Sequence, residues 1–198
     1  MSIAIFDYGA GNLRSVQNTL AKIGAPYTLV DDSGGLRAAS KIILPGVGHF
    51  GQMMRALDAM RVRAAILERI QAGVPFLGIC LGLQALFASS EEDDEVRGLG
   101  IFPERVLRFT GGLRVPHMGW DTLEPLRPSR LLAGLGAKPY VYFAHSYYAP
   151  VNEATAASCA YGVPYTALLE RGNLFGVQFH PEKSGPLGLK IVKNFVEL

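Results

Sequence analysis

Cysteine is scarce in this 198-residue chain: only Cys80 and Cys159 are present. They lie too far apart in sequence for a metal knuckle, and a reducing compartment would leave both as thiols rather than a disulfide framework. Charge of one sign is also lacking. Nineteen Lys and Arg face 17 Asp and Glu, a net charge of +2 with no basic stripe, which argues against a nucleic-acid partner. Long apolar runs are missing too. The longest greasy stretch, Val74 to Ala88, is too short to span a bilayer and carries Gln84. No basic segment precedes the apolar residues of Met1-Ser2-Ile3-Ala4-Ile5-Phe6-Asp7, and an aspartate arrives early, so no secretory leader is expected. Together these absences predict a soluble cytoplasmic protein.

What is present is material for a core. At 49% hydrophobic over 198 residues, the chain can fill one substantial domain spanning 1–198. Ser2 to Asp7 reads as a strand, followed by Tyr8-Gly9-Ala10-Gly11-Asn12 and a helix with Leu13, Val16, Leu20 and Ile23 at helical spacing, stopped by Gly24. Pro26 to Val30 and Lys41 to Leu44 give two more strands, the latter stopped by Pro45-Gly46-Val47-Gly48. Helical patterns over Gln52 to Met60 and Val62 to Ala72 lead to an apolar run before Cys80. Strands alternating with helices imply an α/β three-layer sandwich, its mostly parallel central sheet covered on both faces. Glu91 to Glu95 reads as a solvated loop. Beyond it, short segments over 105–109, 120–123, 140–143, 154–160, 167–170 and 174–179 predict an antiparallel extension, closed by a helix over 187–197. Gly9-x-Gly11 lacks the third glycine and the downstream acid of a dinucleotide fingerprint.

The run Pro75-Phe76-Leu77-Gly78-Ile79-Cys80-Leu81-Gly82-Leu83-Gln84 puts a thiol where a strand turns sharply into a helix expected over 81–88. Gly78 and Gly82 let the two backbones approach, and the side chain between them is thrust outward. Unpaired N–H groups at the helix start, above all that of Leu81, face the place where a carbonyl oxygen under attack gains charge, and favour thiolate. A second donor can come from Val47 at the end of the neighbouring strand. Cys159, among small strand residues, reads as a core thiol.

A thiol nucleophile needs a base, and the base an orienting acid. Phe179-His180-Pro181-Glu182 offers both after a strand, with Glu182 two residues along an extended segment from His180. His145 is the other candidate base, and His180 is preferred because it alone has a carboxylate at orienting distance. His49 and His117 sit among loop signals. No two histidines stand at i, i+4, so neither a metal nor a cofactor is expected.

Gly78-Ile79-Cys80-Leu81-Gly82-Leu83-Gln84 together with Phe179-His180-Pro181-Glu182 resembles the class I (triad) glutamine amidotransferases, with Cys80, His180 and Glu182 as the triad. Asp7 to Leu13, Pro45 to Phe50, Pro116 to Trp120 and His180 to Ser184 are similar to the branch serving imidazole glycerol phosphate synthases. The resemblance covers essentially the whole chain as one type 1 domain. It implies hydrolysis of L-glutamine through a γ-glutamyl thioester, and passage of ammonia to a (β/α)8 cyclase that forms imidazole glycerol phosphate and an aminoimidazole carboxamide ribotide. It further implies that Gly48, Gln84, Ser146 and Tyr147 hold glutamine, and that Asn12, Trp120, Tyr142 and Lys183 lie toward the partner. Leu83 departs from the usual methionine and Asp121 from asparagine, the latter questioning one interface contact. Rival readings are a stand-alone cysteine hydrolase and a non-catalytic regulatory subunit.

Overall fold

The computed structural model describes residues 2–198; Met1, which begins the N-terminal stretch and the 1–198 unit, lies outside the described residues. In chain order the elements begin with β1 (Ile3–Phe6), α1 (Leu13–Lys22), β2 (Tyr27–Val30), α2 (Ser33–Ala38), β3 (Lys41–Gly46), α3 (Phe50–Ala59), α4 (Arg63–Gln71), β4 (Phe76–Cys80) and α5 (Leu81–Gln84). Then come β5 (Phe87–Ser90), β6 (Asp93–Arg97), β7 (Phe102–Arg108), β8 (His117–Thr122), β9 (Glu124–Pro125), β10 (Tyr140–His145) and β11 (Tyr147–Tyr148). The chain closes with β12 (Thr155–Tyr161), β13 (Val163–Arg171), β14 (Leu174–Val177), a 3₁₀ turn (Pro181–Lys183) and α6 (Gly185–Val196).

The main sheet runs β2-β1-β3-β4-β14-β13-β12-β9. Its first five strands are parallel, and the rest pair antiparallel, as the α/β alternation followed by short strands predicts. Alternate residues of each parallel strand feed opposite faces. Ala4, Phe6, Ile42 and Leu44 join Met53, Leu57 and Ile66 of α3 and α4 on one side. Ile5, Ile43, Leu77 and Ile79 join Leu20 of α1 and Ile191 and Phe195 of α6 on the other. The sandwich is thus held by burial on both faces of one sheet, the pattern that near-continuous apolar strands produce.

Three sequence expectations need correction. The helix after Cys80 is a single turn, α5, and Phe87–Ser90 is a strand, because the carbonyls of Ala85, Leu86, Phe87 and Ala88 accept N–H groups from 98–102 instead of continuing the helical ladder. The acidic run is no free loop. Glu91 accepts the Arg108 N–H, Glu92 the Phe50 N–H, and Asp93 and Asp94 pair with Arg55 and Arg105 as β6 packs on α3. Helix α2 is missing from the periodicity since Ser33-Gly34-Gly35 argues against it. Asp32 caps it by accepting the Gly35 N–H at 2.7 Å, and buried Leu36 anchors it.

Among the described residues no helix is long and apolar enough to cross a membrane. The buried ammonium of Lys41 closes the end of α6, donating to the oxygens of Val196 at 2.6 Å, Leu198 at 2.7 Å and Phe195 at 3.3 Å. A cation at a helix C-terminus is favourable, and these carbonyls would otherwise lack donors. Replacing Lys41 with Ala should lower unfolding free energy by about 1–3 kcal/mol, read as a drop in the urea midpoint at unchanged slope.

Candidate active site

Parallel strands β1, β3, β4 and β14 all deliver their carboxyl ends to one edge, where the loops after them converge. At the end of β4, Cys80 adopts φ 54°, a left-handed value that a non-glycine residue holds only when its surroundings force it. A Cβ at Gly78 would overlap the Gly82 carbonyl, and one at Gly82 the Leu44 carbonyl, so both glycines are sterically required. The elbow drives the sulfur into a cavity of about 180 Å³ lined by Val47, Gly48, Cys80, Leu81, Gln84, Glu92, Pro116, Met118, Ala144, His145, Ser146, Tyr147 and His180.

His180 follows β14, which pairs parallel with β4 in the register Val177↔Ile79. Its Nδ1 lies 2.8 Å from Glu182 Oε1, so Nδ1 carries the proton given to the carboxylate and Nε2 is left for the thiol of Cys80, which lines the same cavity. Glu182 reaches back through the 3₁₀ turn rather than along an extended segment, which corrects the sequence expectation while keeping the pairing. Its side chain is 1% exposed, and Asn12 Nδ2 donates to the same Oε1 at 3.1 Å. Burial pulls the imidazole down, but the hydrogen bonds to Cys80 and Glu182 and their negative charges outweigh it, holding His180 at about 10. The ring is therefore a proton donor at neutral pH.

The rest of the cavity is polar and well fixed. Gln84 Nε2 donates to the Tyr147 carbonyl at 2.8 Å and to Gln178 Oε1 at 3.1 Å, while Gln178 Nε2 lies 3.6 Å from the Cys80 sulfur. Sequence reasoning missed Gln178. The signal was an amide inside the apolar run 174–179, where a buried polar group needs a partner. Glu92 was also missed, because it lay in a run read as solvated. The Val47 N–H and carbonyl both lie 3.3 Å from the Tyr8 hydroxyl, so this N–H is engaged rather than free. Burial, partly opposed by the hydrogen bond to Val47, pushes the Tyr8 phenol up to about 12.

The other histidines stand at the ends of elements, next to the loops the sequence signals. His49 caps α3, its Nδ1 accepting the Gly51 N–H at 3.2 Å. His117 and His145 face each other across the β8–β10 pair, both buried. Asp121 turns inward, its Oδ2 3.4 Å from His117 Nε2, so the residue that departs from asparagine pairs with a core histidine. Cys159 is buried as expected, and burial pushes its thiol up to about 11. Leu83 is fully buried beneath Gly176.

Of the residues expected toward a partner, Trp120 stacks on Tyr140 with ring centres 5.7 Å apart, and Tyr142 stands edge-on to it. Lys183 Nζ sits 5.9 Å over the Tyr142 ring. The Asn12 amide donates to Glu182. Among the described residues no cluster of three His, Cys, Asp or Glu could hold a metal.

The raised His180 contributes stability that is complete below about pH 6.5, its ordinary value, and is lost as pH climbs through about 10. Glu182→Gln removes one of the charges responsible, so NMR titration of the His180 ring should show its midpoint falling from about 10 toward the ordinary range.

Residues 4–198 match the family model described as glutamine amidotransferase class-I. The chain is 49% identical over 195 residues to the imidazole glycerol phosphate synthase subunit HisH of Desulfitobacterium hafniense strain Y51, covering 98% of this chain and 92% of that one. It is also 49% identical over 197 residues to the HisH subunit of Methanothermobacter thermautotrophicus, covering 99% and 98%. In structure it resembles a crystal structure of a glutamine amidotransferase, with TM-score 0.77, 20% identity and coverage of 98% and 97%. It likewise resembles the structure of PurLQS from Thermotoga maritima, with TM-score 0.78, 19% identity and coverage of 99% and 97%. The chain belongs to the class I glutamine amidotransferase family, within its HisH branch.

Proposed function

We propose that the chain, acting as a single glutamine amidotransferase domain, hydrolyses L-glutamine and passes ammonia to a (β/α)8 cyclase partner, as the glutaminase subunit of imidazole glycerol phosphate synthase. The observation that carries this is the row formed by the Cys80 sulfur, the His180 ring and Glu182, which opens into a cavity whose wall also holds Glu92 and Gln84. Glu92 gives the α-ammonium a carboxylate, and Gly48, Gln84, Ser146 and Tyr147 hold the rest of the amino-acid end.

Cys80 attacks the carboxamide carbon, and the charge that develops on oxygen meets the N–H of Leu81. The Val47 N–H serves as second donor once its peptide turns from Tyr8, which engages it in this structure. One such donor is worth roughly 10²–10³ in rate. Protonated His180 gives its proton to the departing nitrogen, ammonia leaves, and a γ-glutamyl thioester remains. His180 then takes a proton from water as that water attacks the thioester, and glutamate and the free thiol are regenerated.

Free ammonia protonates in bulk water, so a sheltered exit is needed. Met118 lines the cavity yet is 64% exposed, and Trp120 (46%) and Tyr140 (50%) extend an apolar rim from it. Such a rim suits a protein partner that covers the exit. This rim, together with the HisH relatives, disfavours a stand-alone hydrolase, and the assembled row disfavours a non-catalytic subunit. A cytoplasmic setting fits a reaction whose thiol must stay reduced.

In the complex with a cyclase subunit, Cys80→Ala should abolish glutamine-dependent synthesis and leave synthesis from added ammonium salts near the wild-type rate. Loss of both activities, or retention of glutamine use, contradicts the proposal.

A further inference from the structure

The Tyr147 carbonyl starts a relay that ends at the reactive sulfur. Able only to accept, it takes N–H groups from Gln84 Nε2 at 2.8 Å and from His145 Nδ1 at 2.9 Å. Gln84 is thereby fixed with its nitrogen inward, and the same nitrogen donates to Gln178 Oε1 at 3.1 Å. With its oxygen claimed, Gln178 turns its own nitrogen the other way, and Nε2 lies 3.6 Å from the Cys80 sulfur. Neither amide can flip without setting two acceptors or two donors face to face.

Strand register puts Gln178 at this spot. β14 pairs parallel with β4 as Val177↔Ile79, so the next residues, Gln178 and Cys80, come abreast where the elbow begins. The backbone N–H of Gln178 donates to the Ala167 carbonyl at 2.9 Å. The residue is fully buried, so it stands behind the sulfur and not in the cavity wall. A buried amide needs its partners, and here one of them is the nucleophile.

The sulfur in turn has use for a donor. Cys80 is only 7% exposed, so little water reaches it to hold a negative charge. The helix expected over 81–88 is a single turn, Leu81–Gln84, whose dipole is correspondingly small. The His180 ring brings a balancing positive charge, but it gives up its proton to the departing nitrogen. An amide N–H keeps its proton throughout, and its hydrogen bond is strong to an anion and weak to a neutral sulfur.

We infer that Gln178 is a further catalytic residue: its side-chain N–H, aimed by the relay from Tyr147 through Gln84, donates to the Cys80 sulfur and favours the thiolate. This rests on Cys80 being the nucleophile of the glutaminase reading above. The bond acts twice in one turnover. It holds the sulfur as an anion ready to attack, and it lowers the cost of expelling that sulfur from the thioester, because the charge returns to an atom already facing a donor.

The test compares the full-length wild type with Gln178→Met, which keeps the length of the side chain and loses the N–H. Alkylation of Cys80 by iodoacetamide is followed across pH by mass spectrometry of its peptide. In Gln178→Met the rising limb of the profile should move up by about one pH unit or more, the scale of a hydrogen bond to a charged group. The limiting rate at high pH should be unchanged or higher, since a thiolate relieved of a donor is the stronger nucleophile. A rising limb that stays put while the limiting rate falls marks Gln178 as a packing residue and overturns the inference. A second readout leaves residue 178 untouched. At pH 7 the Nε2–H proton of Gln178 should resonate downfield in wild type and return to the ordinary amide position in Cys80→Ala; the same position in both proteins overturns the inference. A wild-type complex with a cyclase subunit that consumes no glutamine, with both shifts intact, overturns the glutaminase reading instead.

Discussion

Three backbones meet at the end of β4 with no room for a side chain between them, and the rest of the site depends on that crowding. A Cβ at Gly46 would lie 2.7 Å from the Gly82 nitrogen, while Gly78 and Gly82 abut the carbonyls of Gly82 and Leu44. The chain can leave β4 only by turning at Cys80, whose φ of 54° is the strain that results. That strain is held by the strands on either side, β3 and β14, both paired in parallel register with β4. The core therefore fixes the sulfur's direction, and no side-chain contact of the thiol itself is needed to aim it.

The base is fixed from a different quarter. The His180 N–H donates to the Tyr142 carbonyl at 2.8 Å, and Ser184 ties the two segments again, accepting the Tyr142 N–H at 3.0 Å and donating to the His180 carbonyl at 2.6 Å. Tyr142 pairs across β8 with Trp120, on the exposed aromatic rim. In the proposed reaction the rim that receives a partner is thus one strand away from the imidazole that moves the proton. The Tyr8 clasp on Val47 is a second point where a small backbone rotation changes what the cavity can stabilise.

Much of this was legible from residue order. Gly78-x-Cys80-x-Gly82 after an apolar run and His180-Pro181-Glu182 after another announce an elbow and a paired base, and parallel pairing of their strands is what an α/β alternation supplies. The failures have physical causes. Leu81 to Ala88 carries a helical pattern, but hydrogen bonds from residues 98–102 claim its carbonyls, and such nonlocal partners leave no mark on local periodicity. Glu92 was hidden for the same reason: its acidic neighbours suggest solvent, and only the fold brings the start of α3 against it. Asn12, implied by resemblance to lie toward a partner, also supports Glu182 through its amide across 170 residues of sequence, a contact that local pattern does not announce. Gln178 carried a readable clue in being polar within a buried strand run.

The central claim is that strand geometry aims one of two thiols at a paired base that arms it. An electrophilic glutamine analogue, bearing a reactive carbon in place of the amide, tests it by mass spectrometry of the digested complex. The account predicts a single adduct on Cys80, slowed by added glutamine and absent in His180→Asn, with Cys159 untouched. Labelling of Cys159 at a comparable rate, or modification of Cys80 indifferent to glutamine and to His180, would contradict it.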